Sequence, residues 1–307
     1  MPKINIGKNV LNLEITLFNG QSFRWQKVQR NDKTYFYGVA RDRVWKLWRE
    51  NDNEIEYNVL HSFVKTTEDK NRSVFTDYFS LDVNVSDVIS KWNEDKYFNK
   101  IYEQHPHLMG IRILNQSLFE TIISFICSAN NNVSRISKMV EKICELYGEG
   151  IKCENNMIFY SIPCVTKLAK INGLEETLRD NMFGYRAKYL FNTFKRIDKL
   201  GGNKHLETIQ SQDLEDARAS LLAMQGIGRK VADCILLMGL RHYQVVPCDI
   251  HVKRLVKNNY LPKLDEKKFS KGDIVVVQNL FNEKFENYSG WVQSILFTVQ
   301  LQKLIIK

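Results

Sequence analysis

Two side chains nineteen residues apart could do covalent chemistry together: Lys230 and Asp249. A lysine amine is a nucleophile once it has lost its proton, and a carboxylate can take up a proton or stabilise a developing cation. Lys230 falls in the first turn of a helix that opens after Gln225-Gly226-Ile227-Gly228-Arg229. A cation there is opposed by the helix dipole, which lowers an ammonium pKa. Starting from ~10.4, about 4.6 kcal/mol of preference for the charged form must go before the amine dominates at pH 7. A lysine that only faces a nucleic-acid phosphate fits the same position. Asp249 follows Val245-Val246-Pro247-Cys248 and precedes Ile250-His251. It is placed to cap a helix over 250–258, and equally to stabilise a cationic sugar or accept a proton.

The element that must position Lys230 is a hairpin. Residues 213–240, DLEDARASLLAMQGIGRKVADCILLMGL, read as two helices joined by a Gly-x-Gly turn, with Asp213 or Ser211 capping the first. Gly226 and Gly228 let the backbone turn tightly and approach another molecule, and Ile227 is an apolar plug. The free N–H groups at the start of the second helix point outward and suit a phosphate. An ordinary helical hairpin with a glycine-rich turn has the same spacing.

Around this hairpin the chain changes texture. Thr34 to Trp48 is rich in aromatic and β-branched residues, and Ile55, Tyr57 and Val59 alternate, with turns at Asn31-Asp32 and Asn51-Asp52-Asn53. After about residue 108 the period becomes helical: Leu118, Ile122, Phe125 and Ile126 make one stripe, and Val133, Ile136, Val140, Ile143 and Tyr147 another. Further helices are predicted near 166–178, 186–199, 213–224, 229–240 and 289–304. The fold class is α+β: an N-terminal antiparallel, twisted β-sheet domain over 1–107, then an all-helical domain over 108–307.

Composition bounds the class. The chain has 307 residues, 44% hydrophobic and 26% charged, which excludes disorder and fibres. Its net charge of +9 suggests a polyanion, nucleic acid first and an anionic membrane surface second. Six cysteines show neither C-x-x-C pairs nor metal-ligand spacing, as expected of reduced intracellular thiols. No segment has the ~18 apolar residues of a membrane span, and MPKINIGKNV lacks the apolar core of a secretory signal.

The hairpin, Gly-x-Gly, Lys230 and V-P-x-D-x-H with Asp249 together resemble the helix-hairpin-helix DNA glycosylase superfamily. Four further segments are similar to its eukaryotic-type 8-oxoguanine branch: FNGQSFRW (Phe18–Trp25), SFICSANNNVSRI (Ser124–Ile136), Gly184-Tyr185-Arg186-Ala187, and Gly290-Trp291-Val292-Gln293-Ser294-Ile295-Leu296-Phe297. They run in order over nearly the whole chain.

The resemblance implies a bifunctional DNA glycosylase and abasic-site lyase that flips 8-oxoguanine out of its pair with cytosine. Lys230 would attack the sugar C1′ and form a Schiff base, and Asp249 would orient or deprotonate it. The Gly20 carbonyl would accept the N7–H that guanine lacks. Phe297 and Cys234 would sandwich the base, Gln293 would bond its Watson–Crick edge, and Met238 and Pro247 would line the pocket. Asn130 would fill the vacated stack, Arg135 and Arg186 would bond the orphaned cytosine, and Tyr185 would wedge beside it. His251, Gly226 and Gly228 would hold phosphates. Neither a cofactor nor a catalytic metal is implied; a structural cation could sit on the carbonyls of Leu222, Met224 and Ile227. The partner is duplex DNA, with no membrane, and the protein is expected to be a monomer in the nucleus, with the mitochondrion as a second address.

Helical geometry agrees with parts of this. Lys230 and Cys234 are i, i+4 and share a face away from Val231 and Ile235. Gln293 and Phe297 share one about 200° from Trp291 and Ile295. Two positions depart from the family pattern. Gln225 stands where proline is usual, which would loosen the turn slightly. Arg229 stands where threonine is common, which adds charge beside Lys230. The superfamily's four-cysteine iron–sulfur loop is absent. The rivals are a hairpin glycosylase for alkylated or deaminated bases, which the pocket residues disfavour, and a non-catalytic binder of damaged DNA, which the presence of both Lys230 and Asp249 argues against.

Overall fold

The computed structural model describes residues 2–264 and 270–302. Its N-terminal part is a five-stranded antiparallel sheet in the order β1-β5-β4-β3-β2, with β1 Lys3–Asn5, β2 Trp25–Arg30, β3 Lys33–Ala40, β4 Arg43–Asn51 and β5 Glu54–Ser62. Two-residue turns with positive φ at both positions close two hairpins, Asn31-Asp32 (45° and 59°) and Arg41-Asp42 (50° and 60°). Such turns match the right-handed twist of the strands. The second hides inside the aromatic run 34–48, because Arg-Asp carries no Asn-Gly signature.

The strands alternate between two apolar faces. Trp25, Phe36, Trp45 and Tyr57 pack against Phe75, Tyr78 and Phe79 at the end of helix α2 (Glu68–Tyr78), which follows the short α1 (Leu13–Phe18). Tyr37, Val39 and Val44 face Phe159 on a small hairpin, β6 (Gly150–Lys152) with β7 (Ile158–Tyr160).

The remaining helices among the described residues are α3 Ser86–Trp92, α4 Lys96–Gln104, α5 Leu118–Ser128, α6 Val133–Tyr147, α7 Val165–Ala169, α8 Leu174–Asp180, α9 Arg186–Lys199, α10 Asn203–Ser211, α11 Leu214–Leu222, α12 Arg229–Gly239, α13 Ile250–Asn259, α14 Lys271–Phe285 and α15 Ser289–Leu301. Residues 303 and 304 of the last predicted helix lie outside the described residues. Helices α3 and α4 contribute Trp92, Phe98 and Ile101 to the large helical core rather than to the sheet. At the centre, α5 is buried from Leu118 through Cys127 and packs on α12, buried from Val231 through Gly239. A helix buried on every side reads as apolar throughout, so α5 shows more than one stripe in sequence.

An extended stretch, Ile111–Gln116, joins the two parts. The Gln21 side chain pairs with it like a strand: Nε2 donates to the Arg112 carbonyl (2.8 Å) and Oε1 accepts the Leu114 N–H (3.0 Å). Nearby, the fully buried Arg24 bonds Glu141 Oε1 (2.8 Å) and the Tyr160 carbonyl, with Glu120 3.9 Å away. Burial pushes the Glu120 carboxyl up to about 7, with the Arg24 guanidinium opposing.

Removing one member of a buried ion pair costs ~3–5 kcal/mol. Arg24→Met should therefore lower the urea-unfolding free energy by about 3 kcal/mol, and Glu120→Gln in the same chain should recover part of that loss. The deficit should also shrink below pH 7, as Glu120 takes up its proton. Unchanged unfolding midpoints would show that the pair does not secure the seam.

Candidate active site at the hairpin and the seam

The hairpin forms as its residues dictate. Asp213 caps α11, accepting the Asp216 N–H at 2.9 Å, and Gly228 is the first residue before α12. The two glycines differ in their reasons. Gly226 has φ +86° and a Cβ there would lie 2.8 Å from the Tyr189 ring, so conformation and packing both require glycine. Gly228 has ordinary φ and open space around it. No side chain caps the first turn of α12, so its N–H groups stay available to an anion. Gln225 is bonded within the turn: its side chain accepts from Asn192 Nδ2, and its carbonyl from Thr193 Oγ1 at 2.9 Å. Of the hairpin carbonyls, that of Met224 accepts the Ile227 N–H at 3.3 Å.

Beside the hairpin lies a cavity of about 570 Å³, within the roughly 300–1,000 Å³ span of small-molecule sites. Both halves of the chain line it. Gly20 comes from the end of α1, Lys230, Cys234 and Met238 from α12, Pro247 and Asp249 from the following loop, and Gln293 and Phe297 from α15. Asn130 and His251 stand at its edge, both exposed. All the predicted catalytic and base-contacting residues thus converge on one space. Gly20 has φ +90°, a conformation that side chains rarely adopt.

Asp249 caps a helix and also lines the cavity. Its Oδ1 accepts the N–H groups of His251 and Val252, each at 2.9 Å, and so caps α13. Its Oδ2 takes no hydrogen bond among the described residues.

Lys230 contacts the Cys234 sulfur one turn on, and its Nζ lies 5.7 Å above the Phe125 ring. Its pKa is raised above the ordinary lysine value, first by Cys234 and then by Asp249, with burial opposing. A helix terminus alone would shift it the other way. The Cys234 sulfur and the Asp249 carboxylate outweigh half a charge at a helix terminus. Burial pushes the Cys234 thiol up in turn.

Residues outside the cavity are placed differently. Arg186 is buried and donates to the Ala129 and Asn130 carbonyls, and Tyr185 Oη donates to Ala129 at 3.0 Å. Arg135 is exposed and donates to the Met182 carbonyl at 3.0 Å. Asn130, held by these bonds, has φ +48°. Sequence reasoning did not assign Phe125, Phe23 or Asn19, all of which line the cavity, nor Met182, 74% exposed beside Arg135. Phe125 was assigned to a core stripe, and only the position of Lys230 above it reveals a second use. Asn19 and Phe23 share the FNGQSFRW segment with Gly20, and Phe125 lies in SFICSANNNVSRI, so each had a motif neighbour that could have flagged it.

Residues 3–122 match the family model described as the N-terminal domain of 8-oxoguanine DNA glycosylase, and residues 123–271 that of the HhH-GPD superfamily of base excision DNA repair proteins. An N-glycosylase/DNA lyase of Saccharomyces cerevisiae is 33% identical, over 97% of this chain and 86% of its own length. One from Arabidopsis thaliana, OGG1, is 31% identical over 97% of this chain and 80% of its own. The structure of Clostridium acetobutylicum 8-oxoguanine glycosylase/lyase, in complex with duplex DNA bearing cytosine opposite 8-oxoguanine, superposes with a TM-score of 0.80 at 29% identity, covering 95% of this chain and 92% of that one.

The raised Lys230 pKa can be tested without substrate. Amine labelling followed by mass spectrometry should show Lys230 reacting only at higher pH than surface lysines, and Cys234→Ala should move its titration down. A Lys230 that titrates below the surface lysines, or does not move in Cys234→Ala, would reverse the assignment.

Proposed function

The chain belongs to the 8-oxoguanine N-glycosylase/DNA lyase family, and from that premise we propose how its cavity excises an oxidised base and nicks the strand behind it. The observation that carries the reading is the meeting of Lys230 and Asp249 on one cavity.

The duplex lies across the open end of α12, with phosphate on its free N–H groups and on the exposed His251. The 8-oxoguanine nucleotide rotates out of the stack and its base enters between Cys234 and Phe297. Gln293, 6% exposed, bonds the Watson–Crick edge. The Gly20 carbonyl accepts N7–H. Guanine carries a lone pair at N7 and would set acceptor against acceptor, so it is rejected through an unpaired buried group.

Lys230 must give up its proton before it can attack. Insertion of the base beside Cys234 separates the ammonium from the first group that holds its pKa up. The freed amine forms a bond to C1′ while the glycosidic C–N bond breaks and its electron pair leaves with the base. Asp249 Oδ2 stabilises the cationic sugar in between. Opening of the C1′–O4′ bond, with a proton to O4′, gives the Schiff base. Loss of a C2′ proton then expels the 3′ phosphate by β-elimination.

Opposite the lesion, Asn130 enters the gap and Tyr185 wedges beside it, while Arg135 and Arg186 bond the widowed cytosine. Arg135 and Tyr185 are exposed already. Arg186 spends one nitrogen, Nη2, on the Ala129 and Asn130 carbonyls, which leaves Nη1 for the cytosine. No helix among the described residues is long and apolar enough to cross a membrane. The +9 charge accordingly finds its polyanion in DNA.

Borohydride should trap a covalent adduct on duplex 8-oxoguanine DNA, most with cytosine opposite, and Lys230→Gln should abolish it. Asp249→Asn should bind DNA normally yet lose turnover by about 10² or more. Excision of an alkylated base instead would favour the rival glycosylase. DNA binding with neither excision nor adduct would favour a non-catalytic binder.

A further inference from the structure

Asp233 lies one turn beyond Arg229 and one residue before Cys234, and it is fully buried. A carboxylate in that position must be paired on every side. Its Oδ1 accepts from Arg218 Nε at 3.2 Å, and its Oδ2 accepts from Arg229 Nε at 3.2 Å and from Gln278 Nε2 at 3.1 Å. Gln278, on α14, does more than satisfy the carboxylate. The same Nε2 donates to the Val246 carbonyl at 3.0 Å, and its Oε1 accepts from Arg229 Nη2 at 3.1 Å. Each bond is near the ordinary length.

One amide therefore joins two segments that share no other hydrogen bond among the described residues. Arg229 is the residue before Lys230. Val246 is three residues before Asp249, with Pro247 and Cys248 between. Proline has no N–H to give and a fixed φ, so the position of the Val246 carbonyl is passed on to Asp249 with little slack. Among the described residues, Gln278 supplies the one hydrogen bond that another element gives the backbone of 246–248. Gln278 lies outside the cavity lining and outside both matched family segments.

We propose that Gln278 is a positioning residue that sets the spacing of Lys230 and Asp249, by holding the Val246 carbonyl against the Arg229–Asp233 pair. This rests on the reading of Lys230 and Asp249 as the nucleophile and its partner. Only a neutral amide fits all the contacts. It donates to the carbonyl and to the carboxylate, and accepts from the guanidinium. A glutamate at this place cannot donate and meets Asp233 with like charge. A methionine keeps the volume and makes none of the bonds.

The test uses the full chain on 8-oxoguanine duplex DNA under single-turnover conditions, with rates normalised to the trapped-adduct yield. Gln278→Met should slow excision about tenfold, as a small misplacement of reacting groups does, with DNA affinity within about twofold of wild type. Gln278→Glu should be at least as slow. The loss should vanish in Asp249→Asn, where Gln278→Met should cost less than about twofold more, because residues acting through one another are non-additive. Wild-type rates in Gln278→Met, or the same tenfold loss in both backgrounds, would overturn the proposal. A variant that is only less stable would shift the urea midpoint and leave the normalised rate alone, which also overturns it. Failure of the underlying reading shows separately, as a wild type that traps no adduct or an Asp249→Asn that turns over normally.

Discussion

The cavity has walls from both parts of the chain, and their spacing depends on a short run of amide hydrogen bonds. Gln21, next to Gly20, inserts its side chain between the Arg112 carbonyl and the Leu114 N–H. Its own carbonyl accepts from Gln116 Nε2 at 2.8 Å, and the Gln116 N–H donates to the Met238 carbonyl at the end of α12 at 3.0 Å. The path from the Gly20 carbonyl to the helix bearing Lys230, Cys234 and Met238 is thus a few bonds long, all buried. Each such bond adds only about 1 kcal/mol net, but breaking one strands a buried polar group at about 1–3 kcal/mol. That asymmetry fixes register more than it adds stability. On the proposed reading, a base gripped on one face by Cys234 and read at one edge by Gly20 would need that register.

The electrostatics follow the same plan. Three charged groups crowd the first turns of α12: Arg229, Lys230 and Asp233. The structure sorts them by direction. Arg229 folds back onto Asp233 and Gln278, away from the cavity, whereas Lys230 faces Cys234 and Asp249 within it. Asp233 accordingly neutralises the extra arginine at this hairpin, and Lys230 is left to partners inside the pocket. An amine kept protonated at rest is protected from wandering electrophiles. On the proposed reading, it would become a nucleophile when a base in the cavity displaces its partner.

Much of this was legible in the sequence, for identifiable reasons. The start of α12, the cap at Asp249 and the shared faces of Lys230 with Cys234 and of Gln293 with Phe297 follow from local spacing alone. The Arg41-Asp42 turn was not legible, because its residues adopt positive φ without the usual asparagine or glycine. Nor was the allegiance of α3 and α4 to the helical core, which tertiary packing decides. The sign of the Lys230 shift is hidden for a related reason: a helix terminus is visible in sequence, but the sulfur and carboxylate that the fold brings to it are not. Gln278 sits in a run of valines on α14, and nothing near it in sequence marks its three bonds to α12 and to the loop before Asp249.

The DNA-facing loop shows how the resting protein stores the groups it needs. Asn130 is held at φ +48°, a conformation asparagine tolerates better than most residues but still at a cost. The bonds from Arg186 and Tyr185 to Ala129 and Asn130 offset that cost in the free protein. Both Arg186 bonds come from the one nitrogen Nη2, so Nη1 stays available. On the proposed reading, an orphaned cytosine would take that donor while the loop keeps its own bonds. A fully paired duplex would offer it nothing, because its bases already spend their donors and acceptors on each other.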